Sequence, residues 1–133
     1  MLKPASSEFK TYLETILPPA VFPEISEKYL TEPRGRYQGM AGILVAPDGT
    51  DQVSKIISAA AQATVGVIPY GGGTGLVGGQ LLPTSTGEVP APIIISLSRM
   101  RKIRSYHSEE NVLVVEAGVT LAEAKAEALN VDR

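Results

Sequence analysis

Apolar residues recur along this chain at two spacings, and each stretch declares its element by the spacing it keeps. Phe9, Tyr12, Leu13, Ile16 and Leu17 fall at i, i+3, i+4, i+7 and i+8, one face of a helix, with Ser6 and Ser7 as candidate caps and Pro18-Pro19 as its end. A shorter helix is predicted from Pro23 to Leu30, with Ile25 and Tyr29 on one face, before an irregular stretch from Thr31 to Gly42. Ile43 to Ala46 reads as a buried strand closed by Pro47. The turn Asp48-Gly49 then leads to Thr50 as the cap of a helix whose face carries Val53, Ile56, Ile57 and Ala60. Val65 to Pro69 is again a strand, so 43–69 forms a strand-helix-strand unit long enough for a parallel crossover.

Further on, Ile93 to Leu97 is a strand, and Ile103 to Tyr106 with Val112 to Glu116 forms a hairpin. The last helix opens at Thr120, which has Glu123 three residues on, the spacing of a capping box. Pro83 to Pro92 reads as a solvent loop. These elements predict an α/β (α+β) arrangement, a small mixed sheet with a strand-helix-strand crossover flanked by helices. The N-terminal helices and lead-in occupy 1–42, and the sheet-forming part runs over 43–133.

Composition narrows the chemistry. The 133 residues are 44% hydrophobic and 20% charged, within globular norms. Twelve Lys and Arg against 14 Asp and Glu give a net charge of -2, which argues against a nucleic-acid partner. Without cysteine there is no disulfide, thiolate metal site or thiol nucleophile, and the single His107 makes no multi-histidine metal site. The N-terminus lacks a signal-peptide pattern and no apolar run is long enough for a transmembrane segment, so a cytoplasmic location is expected.

Six of the 13 glycines crowd into Pro69-Tyr70-Gly71-Gly72-Gly73-Thr74-Gly75-Leu76-Val77-Gly78-Gly79. Such clustering raises the entropy cost of folding and needs a reason. One reason is that glycines let backbone N–H groups turn toward an anion and let a ligand approach closely. The other is that they merely shape a tight crossover. The loop has no Gly-Lys-Ser/Thr ending, so it is not a P-loop. Gly73 to Gly78 formally spells G-x-G-x-x-G, but the glycines and prolines that follow permit no helix, and a Rossmann turn is rejected.

This loop closely resembles that of the FAD-binding PCMH family, also called the vanillyl-alcohol-oxidase or FAD-linked oxidase type. The D-2-hydroxyacid dehydrogenases, including D-lactate and D-2-hydroxyglutarate dehydrogenases, and the FAD subunit of glycolate oxidase are nearest. The likeness extends over Glu32 to Tyr37, Ile43 to Pro47, Ser96 to Met100 and Val115 to Leu121, roughly the last hundred residues. The resemblance implies that the chain is the first half of a PCMH-type FAD-binding domain. It also implies that Tyr70, Gly71, Gly72, Gly73, Thr74, Gly75 and Leu76, with Gly78 and Gly79, hold the FAD diphosphate. Some members bind FAD covalently through a histidine of this loop; none is present here, so non-covalent FAD is expected.

The parent activity so implied is oxidation of a small-molecule 2-hydroxy acid to a 2-oxo acid, with hydride transfer to FAD and a separate electron acceptor. No catalytic residue is assigned within the chain, since the family's substrate domain follows this segment. An exposed edge of the segment invites self-association. The alternative is a stand-alone, non-catalytic nucleotide-binding or interaction module.

Other candidates read as ordinary surface. His107 invites a proton-transfer role but lies in a polar turn, and Glu109 and Glu110 adjoin Asn111 with no partner for acid-base work. Arg99, Arg101, Lys102 and Arg104 either face a phosphate or an acidic partner or, as such runs more often do, form a solvated strand edge. Arg34 and Arg36 beside Tyr37 either touch the cofactor or fix the loop.

Overall fold

In the computed structural model, which describes residues 1–84 and 88–130, the Oγ of Ser6 accepts from the Phe9 amide and opens helix α1 (Ser7–Ile16). Phe9 and Leu13 are its buried face. The predicted 23–30 helix is reduced to one 3₁₀ turn, Glu27–Tyr29. Local periodicity yields here to long-range contacts: Tyr29 is buried, with its hydroxyl 3.0 Å from Ser96 Oγ, whereas Ile25 stays exposed.

Strand β1 (Gly39–Met40) lies within the stretch expected to be irregular, followed by β2 (Ile43–Val45). Helix α2 (Thr50–Ala63) is capped by Gly49 rather than by Thr50, with no side-chain bond to its amides. Gln52 instead turns back to accept from the Asp48 amide at 3.0 Å. Thr64, at φ 57°, and a bond from the Val65 amide to the Ala60 carbonyl close α2. That closure delays the next strand, so β3 covers Val67–Tyr70 and Val65 makes only an isolated parallel bridge to Lys3.

The expected solvent loop is anchored at both ends. Strand β4 (Leu82–Pro83) pairs antiparallel with β1, and Pro92 is buried just before β5 (Ile93–Ser96). Residues 85–87 of that stretch, and 131–133, lie outside the described residues. The hairpin is β6 (Ile103–His107) and β7 (Val112–Val115), joined by a 3₁₀ turn at Ser108–Glu110. Helix α3 (Leu121–Asn130) ends the described chain.

Among the described residues the strands form three small sheets. The central one is parallel, with β5 between β2 and β3; the antiparallel pairs β1-β4 and β6-β7 are separate. The strand-helix-strand unit is therefore present, with its two strands bridged by a third from later in the chain. Alternation divides the central sheet's side chains. Ile43, Val45, Ile93 and Ile95 join the α1 and α2 residues Leu13, Ile56 and Ala60 in one core. Leu44, Ile94 and Tyr70 join Tyr29 in another. A strand covered on both faces has no polar side, which explains the unbroken runs Ile43-Leu44-Val45 and Ile93-Ile94-Ile95. Each fully buried aliphatic side chain contributes about 1.5–3 kcal/mol by leaving water. Among the described residues no helix is long and apolar enough to cross a membrane.

Candidate functional site

In a parallel sheet, the loops after the C-terminal strand ends gather on one side, where ligands of open α/β folds bind. The glycine loop leaves β3 there, and the segment Leu97 to Lys102 leaves β5 beside it. Tyr70 and Ser96 are register partners at the strand ends, and the Leu97 amide donates to the Tyr70 carbonyl at 2.9 Å.

The loop rests on an aromatic floor. Tyr70 is buried, edge-on to Tyr29 with ring centroids 4.7 Å apart, and its hydroxyl donates to the Lys28 carbonyl at 2.7 Å. Burial, aided by Tyr29, raises the pKa of the Tyr70 phenol, so the proton stays on the donor. Gly73, at φ 70°, crosses directly over this ring: a Cβ there would lie 2.1 Å from the Tyr70 hydroxyl oxygen. Gly78, at φ 75°, lies against the Tyr37 ring.

Gln80, a residue the sequence pattern did not single out, ties the loop across its middle. Its Nε2 donates to the Gly75 carbonyl at 2.8 Å and, more weakly, to that of Gly73 at 3.5 Å. Arg34 donates to the Leu76 carbonyl and faces buried Glu32 at 3.8 Å. Glu32 in turn accepts from the Arg36 amide at 2.7 Å, which holds its carboxyl below the usual carboxylate range against the opposing effect of burial. Arg34 thus fixes the loop, and Arg36 enters this brace through its backbone.

Gly71, Gly72 and Gly79 stand apart. None has the positive φ that favours glycine, and a Cβ added at Gly71 or Gly79 would meet nothing within 4 Å. At Gly72 it would make only ordinary contact with Thr74. Neither backbone geometry nor packing within the chain calls for glycine at these positions. Beside Gly71 and Gly72 lies a cleft of about 330 Å³. The segment after β5 lines it with Ser98 and Arg101, the approach to α3 with Gly118 and Thr120, and the first turn of α3 with Glu123.

Three chain segments therefore meet at this cleft, and each is held by its own bonds. Ser96 Oγ donates to Ser98 Oγ at 3.0 Å. The capping box forms as expected: Glu123 Oε2 accepts from the Thr120 amide at 2.8 Å, while the Glu123 amide donates to Thr120 Oγ1 at 3.3 Å. Gly118 crosses so close to the segment after β5 that its amide donates to the Met100 carbonyl at 2.9 Å.

The expected basic edge divides into separate roles. Arg99 donates to the Ala20 and Ala46 carbonyls and pairs with Asp48 at 3.2 Å, Arg104 pairs with Glu116 at 3.4 Å, and Arg101 pairs with Glu123. His107 is exposed at the end of β6, with Ser105 Oγ 3.1 Å from its Nε2.

Buried Glu116 accepts from the Lys102 amide at 2.9 Å, and that bond, with help from Arg104, holds its carboxyl below the usual range despite burial. A lowered folded pKa means that its stabilisation is complete above the ordinary value of 4.5 and is lost as pH falls through the folded value. Melts taken from neutral pH down to about pH 3 should show the wild type losing stability faster than Glu116→Gln on the acid limb. Parallel curves would assign the acid sensitivity elsewhere.

The FAD binding domain family matches residues 41–130, a span containing the glycine loop and the whole cleft. The chain belongs to the FAD binding domain family. A probable mitochondrial D-2-hydroxyglutarate dehydrogenase of Oryza sativa subsp. indica is 39% identical over 87 residues, 65% of this chain and 14% of that protein. The D-2-hydroxyglutarate–pyruvate transhydrogenase of Saccharomyces cerevisiae is 32% identical over 89 residues, 67% of this chain and 17% of its own length. An alkyldihydroxyacetonephosphate synthase structure superposes with a TM-score of 0.76 over 98% of this chain and 26% of that one, at 19% identity, which speaks to fold alone. The chain thus spans a small part of the curated relatives it matches. As a FAD binding domain it is similar to the matching segment of proteins named as hydroxyacid dehydrogenases. The rice protein is named as mitochondrial, so the cytoplasmic expectation finds no support in it.

Proposed function

We propose that the loop from Tyr70 to Gly79 holds the diphosphate of FAD, without a covalent link, in an enzyme that oxidises a 2-hydroxy acid. The observation that carries this reading is the glycine at 71, 72 and 79, where the fold itself tolerates a side chain. A group from outside the chain that approaches the backbone supplies the missing reason. Backbone N–H groups of Gly71 to Gly75 and the Thr74 hydroxyl suit an anionic diphosphate, and Tyr70 serves as the floor beneath them. Leu76, Gly78 and Gly79 complete the far side of the loop, with 43–133 as the binding part and 1–42 as its lead-in.

When bound, FAD supplies the hydride acceptor for oxidation of an alcohol carbon, while the chain supplies binding and orientation. The two relatives named for D-2-hydroxyglutarate favour a 2-hydroxy acid as substrate, and a small-molecule substrate implies a separate electron acceptor. Non-covalent attachment is favoured by a loop without histidine, since His107 lies on the hairpin.

The test is a flavin-fluorescence titration of the full protein with FAD, with FMN and NAD as controls, beside Gly72→Asp. A Cβ at Gly72 makes only ordinary contact, and the carboxylate beyond it enters the space assigned to the diphosphate, so saturable FAD binding should disappear while the melting temperature stays put. Mass spectrometry after denaturation should find the polypeptide free of flavin. Undiminished FAD binding by the variant, or preference for NAD in the wild type, would overturn the reading.

A further inference from the structure

The glycine loop from Gly71 to Gly79 contains no lysine or arginine, so any cationic side chain that meets a diphosphate held there comes from elsewhere in the fold. Three nearby arginines are committed to the framework: Arg34 to Glu32 and the Leu76 carbonyl, Arg99 to Asp48 and two carbonyls, and Arg104 to Glu116. Arg101 differs in where its partner sits. Both Arg101 and Glu123 line the cleft beside Gly71 and Gly72, and among the described residues lining it they are the one cation and the one carboxylate.

The two Glu123 oxygens have separate partners. Oε2 accepts from the Thr120 amide at 2.8 Å and from its hydroxyl at 2.7 Å, and Oε1 meets Arg101. The capping box therefore fixes the carboxylate, and the carboxylate keeps the guanidinium at the cleft rim. Arg101 remains 58% exposed, and a guanidinium has five N–H donors, so one carboxylate oxygen leaves most of them free for a second anion.

Resting on the FAD reading above, we propose that Arg101 is the charge-selecting residue of this cleft, donating to the cofactor diphosphate that the glycine amides cradle. Glu123 has two opposed effects. It keeps Arg101 at the rim, and its own charge weakens the positive potential there. Removing that charge while keeping the capping box, which glutamine also forms, separates the two.

The experiment is the same fluorescence titration of the full protein with FAD and with riboflavin, which has no phosphate, at low and high salt. In Arg101→Gln, FAD affinity should fall about tenfold, with riboflavin unmoved and the salt dependence flattened. Arg101→Lys should recover part of the loss, because it restores the charge without the planar fork. Glu123→Gln should bind FAD about threefold more tightly. Circular dichroism of each variant checks that the fold is intact.

Equal FAD affinity in Arg101→Gln and wild type would overturn the proposal, and if Gly72→Asp still abolished binding the loop reading would stand without it. Weakening by both Arg101→Gln and Glu123→Gln, for FAD and riboflavin alike, would reduce the pair to a structural link and also overturn it. A protein that binds no FAD with any of these sequences would take down both readings together.

Discussion

Alanine at position 118 is expected to destabilise the protein by about 3 kcal/mol or more and to lower its melting temperature by roughly 10 °C. A Cβ on Gly118 would lie 1.8 Å from the Leu97 carbonyl oxygen and 2.7 Å from that of Met100. Both obstacles are backbone, and the Gly118 amide already donates to Met100, so relief requires moving α3 and its approach away from the segment after β5. That movement opens the cleft by separating Ser98 and Arg101 from Thr120 and Glu123. Thermal melts of Gly118→Ala, with Ala117→Gly as a control at the neighbouring position, measure the effect. A Gly118→Ala melt matching the wild type would mean that the crossing is looser than described.

The second large effect belongs to Gly73→Ala. Its residue must hold φ 70°, which costs an L-residue about 1–2 kcal/mol, and its Cβ would meet the Tyr70 hydroxyl at 2.1 Å. The ring cannot swing aside easily, because it is buried, packed on Tyr29 and bonded to the Lys28 carbonyl. Adding the usual overpacking cost of about 1–3 kcal/mol gives about 2–5 kcal/mol. FAD affinity should fall with it, as the loop lifts from its floor. Gly72→Ala makes the contrast, since the space there is open and stability should change by less than about 0.5 kcal/mol. Were the two alanine variants equally stable, the floor would carry no energetic weight.

These two glycines, and the three with open space, show what was legible in the chain. The crowding between 71 and 79 marks a site because glycine is conformationally expensive wherever it has no task. It cannot say which glycine serves the fold and which serves a ligand. That division depends on Tyr70 and Gln80, whose contacts to the loop follow no helix or strand period, and on Tyr37 and Arg34, which reach it from up to 42 positions away.

The same reason governs the elements. The strands Ile43-Leu44-Val45 and Ile93-Ile94-Ile95, the first helix and the Thr120-Glu123 capping box follow from neighbours within a few positions, and each stands close to where periodicity puts it. The helix expected at Pro23 to Leu30 gives way because Tyr29 is drawn to Ser96 and Tyr70. Strands β1 and β4, two residues each, are too short to show any period, so their pairing is invisible before folding.

The position of β5 in the central sheet also sets an order of events. Neither β2 nor β3 pairs with the other; both wait for a strand that begins at Ile93. As the chain leaves the ribosome, helices α1 and α2 can form early, but the sheet has no ladder until β5 has emerged. The apolar strands Ile43–Val45 and Val67–Tyr70 therefore spend that interval unpaired. Non-local pairing of this kind slows collapse to the native state and lengthens exposure to sticky encounters. Such a chain presents its central strands unpaired during synthesis and paired after it.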